Sequence, residues 1–314
     1  MRVLVTGIGG FVGPWLARAL AEHGHEVLGL EREGPELPPG IPGHRADVTR
    51  RAEVEAVLYD VRPDAVIHLA AISFVPEAER DPETAYRINV GGTVSVMGAM
   101  RAVTPAARLL WIGSSDAYGA VEPSELPIAE STPFRPLSVY GASKAAGDVT
   151  VGQWARSYGM DIVRLRPFNH TGPGQRETFV CAAIARQMAR MERGEQEPVL
   201  RVGNPDPVRD FSDVRDIMAG YVTRLERGSA GEAYNLCAGE GVSIAEVIAL
   251  LRTHARVPMR VWSDPALRRS SEVERIVGSH AKATADTGWE PRIPLGETLR
   301  ELLEDWRVRL ASES

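Results

Sequence analysis

Cysteine is scarce in this chain: two among 314 residues, Cys181 and Cys237. Two isolated thiols make neither a metal-binding spacing nor a disulfide framework, so we expect free core thiols in a reducing cytoplasm and assign no metal. Long apolar runs are missing as well. Nothing approaches the ~18 consecutive apolar residues of a membrane span, and Val3-Leu4-Val5 gives way at once to Thr6-Gly7. We therefore expect neither a membrane partner nor a secretory leader. An excess of positive charge is also absent, since 36 Lys and Arg face 42 Asp and Glu for a net charge of −6. A mildly acidic chain with no basic block is poorly suited to phosphate backbones, which excludes nucleic acid as the expected partner.

What is present is an ordinary core-forming composition, 44% apolar and 25% charged, long enough for one large α/β domain or two smaller ones. Short apolar runs at Val3–Val5, Glu26–Leu30, Ala65–Leu69, Arg108–Ile112 and Asp161–Arg166 alternate with helical spacing such as Pro14–Leu20. Nearly continuous apolar strands separated by helices imply a parallel sheet covered on both faces. The expected fold is α/β, with a Rossmann-type doubly wound parallel sheet over residues 1–172. A smaller, interleaved C-terminal α/β domain then occupies 173–314 and binds substrate. Helices are expected near 178–192, 213–226 and 244–253, and the strand pattern at 233–237 is read as returning to the main sheet.

Gly7-Ile8-Gly9-Gly10-Phe11-Val12-Gly13 follows the first strand and opens the first helix. Gly7, Gly10 and Gly13 allow a tight turn, close approach to a pyrophosphate and close helix–strand packing. The helix N-terminus behind them offers free N–H groups to phosphate. Structural turns also use glycine, but the position after a first strand and before a helix favours the dinucleotide reading. Glu31 ends the second strand where an acid takes the ribose 2′-hydroxyl of NAD. Arg32 beside it could instead neutralise the 2′-phosphate of NADP. NAD is the favoured cofactor, with a surface Glu-Arg pair as the plain alternative.

Tyr140 and Lys144 stand one helical turn apart on one face. The ammonium lowers the pKa of the phenol and makes it a usable proton donor. Ser114 lies just past a strand's carboxyl end, where open α/β sheets build their sites. Simple turn chemistry explains a lone Ser114, and a surface pair explains a lone Tyr-x-x-x-Lys. The three features in chain order favour catalysis. His68, His170, Trp111, Met188 and Met191 read as structural or packing residues.

Taken together these residues resemble the extended short-chain dehydrogenase/reductase family, also called the NAD-dependent epimerase/dehydratase family. The matching residues are the three glycines, Asp47-Val48, His68-Leu69-Ala70-Ala71, Asn89, Ser114, Tyr140-x-x-x-Lys144 and Arg166-Pro167-x-Asn169. The resemblance implies NAD(P) binding that also involves Phe11, Val12, Asp47, Val48, Leu69, Ala70, Ala71 and Asn89. It further implies a homodimer through a four-helix bundle. Arg166 to Gln175, Val202 to Phe211 and Asp213-Val214-Arg215-Asp216 resemble the branch of GDP-mannose 4,6-dehydratases and GDP-4-keto-6-deoxymannose reductases. That likeness implies a GDP-sugar substrate, with Ser73, Asn169, Phe179, Val180, Asn204, Arg209, Arg269 and Glu272 on its side of the cleft. Guanidinium forks suit a diphosphate. Ser270 departs from the branch, where proline follows the arginine.

The dehydratases of that branch carry glutamate two residues after the residue matching Ser114, as the base that takes the C5 proton. This chain has Asp116, one methylene shorter, a poor fit for that reach. The expected reaction is therefore NAD(P)H-dependent reduction of the C4 keto group of a GDP-4-keto-6-deoxyhexose, giving a product such as GDP-D-rhamnose. A 4,6-dehydratase or a 4-epimerase that retains its NAD is the first alternative. A non-catalytic dinucleotide sensor on the same fold is the second.

Overall fold

The computed structural model describes residues 1–32, 37–267 and 273–312. Strands β1 (Arg2–Thr6), β2 (Glu26–Glu31), β3 (Gly43–Arg45), β4 (Ala65–His68), β5 (Arg108–Ile112) and β6 (Ile162–Pro167) form one sheet, closed at its edge by β10 (Ala233–Leu236). Their order is β10-β6-β5-β4-β1-β2-β3 and every pairing is parallel. The apolar strand residues are buried on both faces, and all four residues of β4 and of β10 are buried, the polar His68 and Asn235 included. A parallel sheet requires this, because its crossover helices cover both sides.

Helices α1 (Val12–Glu22) and α8 (Val214–Arg227) cover one face, where Leu16, Leu20, Ile217 and Leu225 pack against Val3, Val5 and Leu110. The other face carries α2 (Arg51–Val61), α5 (Thr93–Val103) and α6 (Val139–Tyr158), with Val54, Leu58 and Met100 around the buried Trp111. Between α2 and α5 the chain passes through α3 (Val75–Arg80), α4 (Pro82–Tyr86) and a π-helical segment, Arg87–Gly92. Strand order reverses between β1 and β4, so a crevice opens there at the strands' carboxyl ends.

A second core joins α7 (Val180–Glu192), α9 (Ile244–Arg252) and α11 (Leu295–Ser312) around Met188, Leu251, Leu302 and Trp306. Small sheets frame it. Strand β9 (Val208–Asp213) pairs with β7 (Asn169–Thr171), β11 (Gly241–Ser243) and β13 (Arg275–Ile276), while β8 (Val199–Val202) pairs with β12 (Arg260–Ser263). Helix α10 (Ala281–Thr287) returns to the main sheet beside α8 and β10. Side-chain caps fix the helix starts: Ser138 accepts the Gly141 N–H at α6, Asp213 accepts the Arg215 N–H at α8, and Ser243 and Glu246 form a reciprocal box at α9.

Two expectations gain detail here. The stretch read as a loop up to Gly43 runs into β3, the short strand that carries the chain to Asp47. Cys181 and Cys237 are both buried and free. No helix among the described residues is long and apolar enough to cross a membrane.

Candidate active site

The glycine loop turns on Gly7, whose φ of +74° and whose packing both demand glycine. A Cβ there would stand 2.6 Å from the Ala70 nitrogen. A Cβ on Gly13 would meet the Ile8 carbonyl oxygen at 1.7 Å, so Gly13 sets the packing of α1 on β1 and lies beneath the cleft. At Gly10 a Cβ would approach only the Gly7 carbonyl, at 3.4 Å, which leaves the space above it open. The first turn of α1 carries no acidic residue and no side-chain cap. Its N–H groups and positive dipole end therefore face that space, an environment that fits a pyrophosphate.

Glu31 reaches back to this loop. One carboxylate oxygen accepts the Gly9 N–H at 2.9 Å and the other accepts the Arg32 N–H at 3.2 Å. Arg32 itself is exposed. Asp47, Val48, Leu69, Ala70 and Ala71 continue the same wall. Asn89 sits behind it, buried, accepting the Ile72 N–H at 2.8 Å and donating to the Ile72 carbonyl at 3.0 Å and to Ser143 Oγ at 2.9 Å. It clamps the segment that carries Ser73 and Phe74.

Tyr140 and Lys144 extend from the first turns of α6. The Lys144 ammonium donates to the Ile112 carbonyl at 2.8 Å, and burial pushes its pKa down to about 8. The lowering of the Tyr140 pKa by Lys144 expected from the sequence is not found: burial, helped by the Asp116 carboxylate, holds the phenol well above its ordinary value, and only a hydrogen bond with Ser114 works the other way. Ser114 is buried, and its hydroxyl oxygen accepts the Asp116 N–H at 3.1 Å, which leaves its proton available for donation. The four groups thus meet at the carboxyl end of β5, on the wall of one cleft of about 1880 Å³ that runs from Gly7 to Arg209.

The far side of that cleft holds Ser73, Asn169, Phe179, Val180, Asn204 and Arg209. Phe179, the residue before α7, meets Phe74 edge-on with ring centroids 6.1 Å apart. Asn204 accepts the Asp206 N–H at 3.2 Å, and the Arg209 guanidinium donates to the Val208 carbonyl at 2.9 Å. The neighbouring Asp210 is occupied elsewhere: its buried carboxylate accepts the N–H groups of Ala238, Gly239 and Gly278, and burial raises its pKa to about 6. Arg269 and Glu272 lie outside the described residues.

His68 and His170 are both held by the protein, and His170 also lines the cleft. His68 Nδ1 bonds Thr6 Oγ1 at 2.7 Å deep in the sheet, and His170 stacks on Phe11 at 6.3 Å while bonding the Phe168 carbonyl. Sequence reasoning did not single out Trp15, Phe74, Arg87, Arg176 or Arg201, all of which line the cleft. Trp15 donates across it to the Pro173 carbonyl at 3.1 Å. None belongs to a local motif, so no sequence signal marks them.

The sequence and overall fold are shared with known proteins. The GDP-mannose 4,6 dehydratase family model matches residues 4–302. The chain belongs to this family. Among its relatives is the GDP-6-deoxy-D-mannose reductase of Pseudomonas aeruginosa, 41% identical over 312 residues that make up 99% of each chain. A solved structure of RMD from the same organism, complexed with NADPH, is 40% identical, with a TM-score of 0.87 over 98% of both chains. The UDP-glucose 4-epimerase of Thermus thermophilus, solved with NAD, is 30% identical, with a TM-score of 0.87 over 98% of this chain and 99% of that one. The doubly wound α/β fold and the family membership expected from the motifs both stand.

Proposed function

We propose that this enzyme reduces the C4 keto group of a GDP-4-keto-6-deoxyhexose to the alcohol, with NAD(P)H as the hydride source. The observation that carries the reading is the meeting of Ser114, Tyr140 and Lys144 with an aspartate, Asp116, at the end of β5. The full-length kinship to a GDP-6-deoxy-D-mannose reductase supports the substrate class. The nicotinamide dinucleotide, when bound, supplies the hydride that C4 receives. Its pyrophosphate would be held by the Gly7–Gly13 loop and the start of α1, and its adenine by Asp47 and Val48. Tyr140 gives its phenolic proton to the C4 oxygen, so carbonyl carbon and oxygen each gain one hydrogen and the product is a secondary alcohol. Ser114 donates a hydrogen bond to that oxygen as negative charge develops on it. Lys144, fixed by the Ile112 carbonyl, would hold the ribose of the dinucleotide.

Asp116, one methylene shorter than the glutamate of the dehydratases, is a poor fit for the C5 proton that dehydration requires, and its carboxylate acts on Tyr140 through its field. Arg209 and Asn204, which line the cleft, are assigned with Arg269 and Glu272 by resemblance to the GDP portion. Glu31 keeps lone pairs for a ribose diol, and the exposed Arg32 next to it suits a 2′-phosphate, so either dinucleotide finds a partner. The boundary expected at residue 172 is crossed by α8, β10 and α10, which return to the cofactor-side sheet, so the two roles are read as interleaved along the chain. The buried thiols fit a reducing cytoplasm. The exposed Val94, Val149 and Tyr158 on α5 and α6 support a homodimer through a four-helix bundle.

Purified enzyme mixed with GDP-4-keto-6-deoxymannose and NADH or NADPH tests the reading. Stoichiometric loss of the reduced-nicotinamide absorbance with a new GDP-deoxyhexose supports it. Conversion of GDP-mannose to a 4-keto product without added reductant makes the enzyme a dehydratase and Asp116 its base.

A further inference from the structure

Beneath the cleft lies a buried hydrogen-bonded chain whose members do not line it. Arg166 on β6 is its hub. Nε and Nη2 of Arg166 grip the two carboxylate oxygens of Asp148 at 2.8 and 2.9 Å, and Nη1 donates to the Tyr118 hydroxyl and to the Glu130 carbonyl, both at 2.8 Å. Tyr118, fully buried, passes its own proton to Asn235 Oδ1 at 2.7 Å. Asn235 on β10 is held in turn by the Ile128 carbonyl at 2.9 Å and by Glu130, which accepts its N–H at 2.7 Å. Arg164 adds a second guanidinium to Asp148 at 2.7 Å. Every polar contact in this chain is charge-assisted or fully enclosed, the setting in which hydrogen bonds hold geometry most firmly.

The two ends of this chain matter. Asp148 lies one helical turn beyond Lys144 and two beyond Tyr140, so its bidentate grip fixes the rotation of α6. Tyr118 directly follows the short turn Ser115–Ala117 that places Ser114 and Asp116. Turn and helix touch with no slack, since a Cβ on Gly141 would stand 2.5 Å from the Asp116 carbonyl oxygen.

We propose that Tyr118, backed by Arg166, is a positioning residue that sets the separation between the Ser114–Asp116 turn and Tyr140, and with it the acidity of the proton donor. The proposal rests on the reading of Tyr140 as the proton donor in keto-sugar reduction. Burial holds the Tyr118 phenol up at about 12, so it stays protonated and keeps its bond to Asn235 at every working pH. Loss of that hydroxyl frees the turn to drift from α6. Asp116 and the opposing Ser114 hydrogen bond then both act more weakly on Tyr140, and because the Asp116 field is the larger of the two, the Tyr140 pKa falls.

The test is Tyr118→Phe in the full-length enzyme, read by kcat, KM and the pH profile of keto-sugar reduction, with thermal melting to confirm folding. We expect kcat to fall about tenfold and KM for the nucleotide sugar to stay within about twofold, because positioning is lost while binding is not. The alkaline limb of the kcat profile moves to lower pH. In an Asp116→Asn background the same substitution produces no such movement, because the group through which Tyr118 acts has been neutralised. An active parent enzyme with an unshifted profile and unchanged kcat in Tyr118→Phe overturns the proposal, as does a shift that persists in the Asp116→Asn background. An inactive parent instead removes the functional reading and this proposal with it. Asn235→Ala keeps the Tyr118–Arg166 contact and gives a second route should Tyr118→Phe fail to fold. The expected result there is a smaller kcat loss with the same shift, and wild-type kinetics in that variant count against the proposal.

Discussion

At the level of single residues, the chemistry depends on which groups are buried and what faces them. Tyr140→Phe removes only the transferable proton, so turnover should fall by about 10²–10⁴-fold, the usual worth of a placed proton donor. Dinucleotide affinity, measured by quenching of protein fluorescence, should stay close to the parent value. Lys144 titrates near 8 because burial disfavours its charge. Raising the pH through that value should weaken dinucleotide binding in the free enzyme, and Lys144→Met should bind weakly at every pH. His68 provides a stability prediction. Burial, and to a smaller degree the Lys144 charge, depresses its pKa to about 3. The unfolded imidazole takes up a proton below about 6.5 while the folded one does not. Stability is therefore complete above about 6.5 and declines as pH falls, by up to about 1.4 kcal/mol per pH unit from this residue. Urea unfolding of His68→Gln between pH 6.5 and 4 should show a shallower decline than the parent.

At the level of elements, α6 holds the reacting groups because both its start and its packing are fixed. Ser138 caps its first turn at 3.0 Å, and Glu79 on α3 accepts the Val139 N–H at 2.8 Å. Ser138→Ala should cost about 1 kcal/mol of stability. Gly141→Ala should act differently, since its methyl group has no room against the Asp116 carbonyl. The turn must move, and kcat should fall while dinucleotide affinity holds. Equal losses in both would place the strain at the cofactor loop instead. What was readable in the sequence follows the same division. The glycine loop and the Tyr140–Lys144 pair are local patterns, legible because their partners are neighbours in the chain. Parallel strands were legible because apolar runs must be buried on both faces. The Asp148–Arg166–Tyr118–Asn235 chain was not, because its members meet across 18, 48 and 117 residues of sequence. Neither were the short strands around β9, whose two to six residues carry no period.

At the level of the whole molecule, the cleft exists because one chain builds two cores and then threads back. Strand β10 and helices α8 and α10 rejoin the main sheet after α7 and β8 have framed the sugar side. The same arrangement leaves α5 and α6 exposed at Val94, Val149 and Tyr158. Val149→Asp should convert a dimer to a monomer in sedimentation analysis, and a parent that sediments as a monomer would refute the bundle. The central claim, however, is direct hydride delivery to C4. The most direct measurement uses NADPH or NADH carrying deuterium at the transferable position, GDP-4-keto-6-deoxymannose as acceptor, and NMR of the isolated product. The account predicts one deuterium at the sugar C4 per nucleotide oxidised. A product without deuterium at C4, or GDP-mannose dehydrated in its place, contradicts it.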